Sequence, residues 1–210
     1  MQMTQDAAVG FLTISREVFA PLYPYYAGRF LKHSGIRHGR CLDLGCGNGS
    51  LGLAVADRSE LSVILLDQSP VMARAAGEHA AERGLSHRTA TVTADVHDLP
   101  LADGCADLIV SRGSLMFWQD LPLAFASVYR VLSPHGRAYL GGGLGSPELR
   151  RQICQEMAKR DARWTADSPP PPKPGTDPDR HAAALREAGI TTFFITREDA
   201  GHWIEIWKAA

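Results

Sequence analysis

Residues 41–56 read CLDLGCGNGSLGLAVA, and this stretch constrains the chain more than any other. An apolar run ends in Asp43. Gly45, Gly47 and Gly49 follow on alternate positions, and Gly52 lies just beyond, where apolar residues resume. Glycines at that density let the backbone turn sharply and let a ligand approach without meeting a Cβ. The pattern predicts a strand, a tight bend and a helix whose first amides are free.

The same alternation recurs along the chain. Short apolar runs predict strands near 40–44, 61–66, 88–94, 106–111 and 137–141, with helices near 50–58, 70–83 and 121–132 between them. Ser69, Pro70 and Gly84 punctuate the second helix as cap, first turn and stop. Strands alternating with helices imply a doubly wound, mainly parallel α/β sheet. ITTFFIT and HWIEIWK at the C-terminus are joined by a link too short for a crossover, so they predict an antiparallel hairpin. That makes seven strands with the last one reversed.

Upstream of the first strand, Phe11, Phe19, Tyr23, Tyr25, Tyr26 and Phe30 mark a helical cover over residues 1–38. They either pack the core or close a ligand site. Residues 39–210 form the core domain. It includes a helix near 147–163, a proline-rich surface loop at 168–179 and a short helix near 179–188.

Composition excludes several classes. The 22 basic and 23 acidic residues give a net charge of −1, without the basic excess of a phosphate-backbone binder. No apolar run reaches the roughly 20 residues that span a bilayer, and no secretory leader pattern opens the chain. Cys41, Cys46, Cys105 and Cys154 form no C-x-x-C pair and match no metal spacing. The expectation is a cytoplasmic chain with reduced thiols and no bound metal. It has neither nucleic-acid nor membrane partners, and its oligomeric state is open, a homodimer among the options.

Three acidic residues give the bend its chemistry. Asp43, Asp67 and Asp95 each end a predicted strand, and in a doubly wound sheet those ends line one crevice. Gly47-x-Gly49-x-x-Gly52 satisfies the dinucleotide fingerprint. The other ligand class is S-adenosylmethionine (SAM), which has a ribose and an adenine but no pyrophosphate. A carboxylate at Asp43 repels a pyrophosphate and suits a cationic ligand. Asp67, beside Gln68, can accept both ribose hydroxyls. Asp95 can accept from the adenine amine, the Val96 amide can donate to a ring nitrogen, and Met72 can pack on the adenine face.

Here the residues resemble a known family. LDLGCGNG, LLDQSPVM, TADVHDLPLADGCADLIVS and VYRVLSPHGRAYLGG stand in the motif order of the class I SAM-dependent methyltransferases. The resemblance is strongest to the small-molecule group called methyltransferase type 11. It covers about residues 39–143, and more loosely the cover and the hairpin. It implies SAM as cofactor, with Gly45, Gly47, Asn48 and Gly49 at its methionine part, Asp67 and Gln68 at the ribose, Asp95 and Val96 at the adenine, and Ser111 beside the sulfonium. One departure is His135, where the family usually has glycine; the position favours positive φ, which His tolerates less well.

Methyl transfer is a direct displacement, so alignment and a dry site matter more than a universal catalytic residue. Tyr26, Arg112 and His202 are the candidate catalytic residues: Tyr26 with its ring facing the sulfonium, Arg112 binding an anionic acceptor, His202 reaching the pocket from the start of the last strand. His97 reads as an adenine-edge or surface residue. Phe117 and Trp118 wall the acceptor pocket or pack in the core. The [DN]-P-P-[YFW] motif of nucleic-acid and amide methylation is absent after the fourth strand, which favours a small-molecule acceptor. Two other readings remain at this point: a non-catalytic SAM-binding subunit and an NAD-dependent oxidoreductase.

Overall fold

The computed structural model describes residues 5–170, 177–198 and 201–209. The middle of the proline-rich segment, the side chain of Phe11 and part of the hairpin link lie outside the described residues. Seven strands form one sheet in the order β3-β2-β1-β4-β5-β7-β6. They are β1 (Arg40–Leu44), β2 (Ser62–Asp67), β3 (Thr89–Thr93), β4 (Ala106–Arg112), β5 (Leu132–Gly142), β6 (Phe193–Glu198) and β7 (Gly201–Trp207). The first five are mutually parallel. The reversed strand, β7, lies between β5 and β6 and is antiparallel to both. The hairpin therefore folds back so that its second strand, not its first, pairs with β5.

Side-chain alternation divides the strands between two cores. Cys41, Val63, Leu65, Leu108, Val110, Tyr139 and Trp203 face one layer of helices. That layer holds α1 (Gln5–Glu17), α2 (Leu22–Ser34), α3 (Ser50–Ala56), α4 (Pro70–Glu82) and α6 (Pro147–Ala158). Leu42, Leu44, Ile109, Ala138, Leu140, Ile204 and Ile206 face α5 (Leu121–Val131) and α7 (Pro178–Glu187) on the other side. Burying each large apolar side chain contributes roughly 1.5–3 kcal/mol, so a period-two switch between the faces fixes the register of every central strand.

The cover docks through ring contacts. Phe30 lies 4.6 Å from Tyr139 and Tyr26 lies 4.7 Å from Trp203, centroid to centroid. Its aromatics thus pack on β5 and β7, far along the chain.

Capping residues set the helix starts. Ser69 accepts from Met72 N, Asp120 from Leu123 N and Ser146 from Leu149 N, with proline in the first turn each time. Two boundaries differ from expectation. The helix expected over 147–163 ends at Ala158, because Asp161 accepts from Arg163 N and Trp164 N bonds back to Asp161 O, which makes a turn. β5 begins at Leu132 rather than 137, since Leu132 pairs with Ala106 across an irregularity in the ladder. Within it His135 takes φ 64°, and its N–H is held by Lys208 O at 3.0 Å. The left-handed conformation implied at this position is present, and a histidine adopts it.

Candidate cofactor site

The chain winds outward from β1 to β2 and β3, then returns to place β4 on the other side of β1. The strand order therefore reverses between β1 and β4, and a crevice opens beyond their C-terminal ends. The glycine bend sits there. Gly45, Gly47 and Gly49 have φ of 63°, 55° and 74°, three left-handed residues on alternate positions. A Cβ on Gly45 would stand 2.5 Å from Ser114 Cβ, so the bend packs tightly against the segment after β4. A Cβ on Gly52 would stand 2.5 Å from Leu65 Cδ2. These two glycines are required by packing within the protein, not only by a ligand's approach.

The predicted carboxylates have distinct situations. Asp43 alternates with Leu42 and Leu44, which turns it toward α3, where its Oδ2 accepts from Gly52 N at 2.8 Å. It is 2% exposed, and burial pushes its pKa up to about 7 against the opposing effect of that hydrogen bond, with Asp67 pushing the same way. Asp43 therefore braces the helix start from below.

Asp67 clasps the bend. Its Oδ2 accepts from Gly47 N and its Oδ1 from Ser69 N, both at 2.9 Å. Each oxygen keeps a second lone pair. Burial raises its pKa while the two amides pull it down. Gln68 beside it is exposed.

Asp95 is exposed, caps the 3-10 turn Val96–Asp98 through His97 N at 3.0 Å and pairs with the His97 ring. This pairing holds its pKa below the usual carboxylate range, the His97 amide having the largest effect. His97 Nε2 in turn accepts from Asp120 N at 3.3 Å. Val96 and Met72 are buried near the ends of β3 and β2.

Asn48 is 1% exposed, and its Oδ1 accepts from both Ser50 Oγ at 2.8 Å and Ser15 Oγ at 3.2 Å. Two hydroxyl donors on one oxygen fix the amide's orientation. Its Nδ2 is left buried with no partner. An unsatisfied buried donor at the bend is costly, and a ligand carboxylate is the group that would satisfy it. The residues therefore fit the amino-acid end of SAM.

Ser15 was not legible as a site residue. Its Oγ lies 2.6 Å from Tyr23 OH, so the chain of hydroxyls runs Tyr23, Ser15, Asn48 and ties the cover to the bend. Nothing in the sequence singles out a helical serine for that contact.

The other candidates separate. Ser111 Oγ donates to Leu44 O at 2.7 Å and meets Ser114 Oγ, so its side chain is engaged within the sheet. Tyr26 is fully buried and its OH accepts from Gly145 N at 2.9 Å. A cation does face the Tyr26 ring, but it is the guanidinium of Arg112, 6.0 Å from the centroid. His202 lies on the opposite face from Trp203, with its Nε2 3.0 Å from His181 Nδ1. It is thus not gathered with Tyr26 and Arg112. Trp118 is buried 6.0 Å from Phe125, whereas Phe117 is 56% exposed.

A family model described as "Methyltransferase domain" matches residues 42–140. A crystal structure of a proposed SAM-dependent methyltransferase from Methanococcus maripaludis is 37% identical to the chain. It covers 100% of this chain and 95% of its own, with a TM-score of 0.91. The chain belongs to the class I SAM-dependent methyltransferases. With SAM the cofactor of this family, the dinucleotide reading of Gly47-x-Gly49-x-x-Gly52 is set aside.

Curated relatives of the chain include the malonyl-[acyl-carrier protein] O-methyltransferase of Geobacter sulfurreducens. It is 36% identical over 103 residues, which are 49% of this chain and 38% of that protein. The chloroplastic tocopherol O-methyltransferase of Arabidopsis thaliana is 33% identical over 98 residues, 47% of this chain and 28% of that protein. The chain thus spans well under half the length of these relatives. No described helix is long and apolar enough to cross a membrane.

Proposed function

We propose that the chain transfers the sulfonium methyl of SAM to a small-molecule acceptor in the crevice between β1 and β4. When bound, SAM supplies a carbon already activated for displacement by its sulfonium. The chain's residues then have to bind, orient and exclude water. Asn48 Nδ2 and the bend would hold the carboxylate of the methionine part. Asp67 would accept from the ribose hydroxyls with the lone pairs left free by Gly47 and Ser69. Asp95, Val96 and Met72 would take the adenine, with Gln68 at the exposed rim.

The cover closes the acceptor side. Tyr23 and Tyr26 belong to it, and burial raises the pKa of both phenols against the pull of the Arg112 cation and their hydrogen bonds. They stay protonated at neutral pH and serve as donors and apolar walls, not as bases. Relatives named as a malonyl-[acyl-carrier protein] O-methyltransferase, a tocopherol O-methyltransferase and a sterol 4-C-methyltransferase support a small organic acceptor. Four free cysteines support a reducing, cytoplasmic setting.

The observation that carries this reading is the orphaned Asn48 Nδ2 beside a glycine bend clasped by Asp67. The test is mass spectrometry of the nucleoside that co-purifies with the protein, together with calorimetric titration of S-adenosylhomocysteine and NADH. Saturable binding of S-adenosylhomocysteine without binding of NADH is expected. No binding of S-adenosylhomocysteine at millimolar concentration sinks the reading.

A further inference from the structure

Arg112, the last residue of β4, is a half-buried cation that forms no ion pair with a carboxylate among the described residues. Its Nη2 donates to Gly143 O at 2.9 Å, and its Nε is buried with no partner. Its guanidinium carbon lies 5.2 Å from the Phe19 ring centroid, 5.7 Å from Tyr23 and 6.0 Å from Tyr26. Among the described residues no carboxylate forms an ion pair with it, whereas Arg130 reaches Asp103 at 2.7 Å and Arg137 reaches Glu205. An unpaired, half-buried cation is disfavoured, and ring faces offset only part of the lost hydration. Burial accordingly lowers the Arg112 pKa, with the nearby Tyr23 and Tyr26 opposing the shift.

The position links this cation to the cofactor crevice. Val110 of β4 pairs with Asp43 of β1, and Arg112 stands two residues further on, opposite Gly141 of β5. Ser114, two residues later, packs on Gly45 of the bend. The guanidinium is therefore one strand away from the bend, on the face closed by the cover. Met116 and Phe117 follow it, 40% and 56% exposed. An aromatic-walled guanidinium with a buried, unsatisfied Nε–H fits a planar carboxylate attached to an apolar body.

We propose that Arg112 receives a carboxylate of the methyl acceptor, making the acceptor an organic acid. This rests on the methyltransferase reading above. The donor also carries a carboxylate, but the bend already offers that group the Asn48 amide. Phe19, Tyr23 and Tyr26, which cage Arg112, all come from the cover.

The test uses the full chain saturated with S-adenosylhomocysteine and titrated calorimetrically with benzoate and hexanoate, then with benzamide and hexanamide. The acids are expected to bind at least about tenfold more tightly than the amides, as a charge-assisted pair predicts. In R112Q that preference should fall below about twofold while affinity for S-adenosylhomocysteine holds. R112K, which keeps the charge but loses the planar fork, should retain part of the preference and guards against a folding defect in R112Q.

Equal binding of acids and amides by the wild type overturns the proposal, and so does a preference that survives in R112Q. A loss in R112Q of affinity for S-adenosylhomocysteine, but not for 5′-methylthioadenosine, also overturns it, because the carboxylate is then the donor's. Failure of the wild type to bind S-adenosylhomocysteine at all overturns the methyltransferase reading itself, and is distinct from these outcomes.

Discussion

Gly47 N–H donates to Asp67 Oδ2 across 2.9 Å, so the end of β2 holds the middle glycine of the bend that follows β1. The residue placed to meet a ribose is also the one that fixes the loop beside it. Binding geometry and loop geometry are coupled through one carboxylate.

Asp67→Asn tests that coupling. An amide can accept at only one oxygen, and its NH2 would face either Gly47 N–H or Ser69 N–H, donor against donor. Affinity for S-adenosylhomocysteine is expected to fall by about 10- to 100-fold, the usual range for losing hydrogen bonds to a charged group. Isothermal titration calorimetry reads this directly; a change under about twofold would remove Asp67 from the site.

Asp43 gives a pH signature. Its pKa is raised by burial to about 7 in the folded chain, so the folded state holds the proton longer than the unfolded state does. Stability from this group is fully present below its unfolded pKa, near 4, and declines as pH rises through about 7. Asp43→Asn keeps an acceptor for Gly52 N–H without the charge. Relative to wild type, its unfolding free energy should rise by about 2 kcal/mol between pH 5.5 and pH 8. Urea denaturation at the two pH values measures it, and a constant offset contradicts the raised pKa.

The imidazole pair has the opposite sign. Burial, then the neighbouring His202 and Arg180, hold the His181 pKa down to about 4. His181 is neutral in the fold while the unfolded chain takes up a proton near 6.5. That stability is present above 6.5 and lost as pH falls toward 4. His181→Gln should flatten the acid limb, narrowing the gap to wild type by about 2–3 kcal/mol between pH 7.5 and pH 4.5. Circular dichroism of denaturant midpoints tracks the gap; parallel acid limbs would show that His181 titrates normally.

Gly45→Ala should be disruptive for two reasons. The residue sits at φ 63°, and its new Cβ would stand 2.5 Å from Ser114 Cβ. Together they predict a loss of about 2–4 kcal/mol. Adding Ser114→Gly removes the clash but not the backbone strain, so the double variant should recover part of the loss. Thermal melts of the two single variants and the double separate the contributions, and strict additivity would argue against the packing account.

Much of the frame was readable from local pattern. Alternating apolar runs gave the strands to within a few residues, and Ser69 with Pro70 marked the start of α4. The place of β7 inside the sheet, between β5 and β6, was not readable. Both orders of the hairpin satisfy the same alternation, and only pairing of Gly141 and Gly142 with Trp203 and His202 decides between them. The end of α6 was missed because its composition stays helical, while the turn around Asp161 depends on a side-chain contact to Arg163.

The candidate site divides in the same way. Gly45, Gly47 and Gly49 declare their conformation in the sequence, because few other residues occupy left-handed φ on alternate positions. Asp43, Asp67 and Asp95 declare theirs by ending apolar runs. These are effects of backbone sterics and of a period-two pattern, and both act over a few residues. Which way those carboxylates face, the Ser15 contact that closes the cover on Asn48, and the unpaired Arg112 within three rings all join residues from separate elements. Their partners are chosen by how whole helices and strands pack, and no local preference encodes that choice.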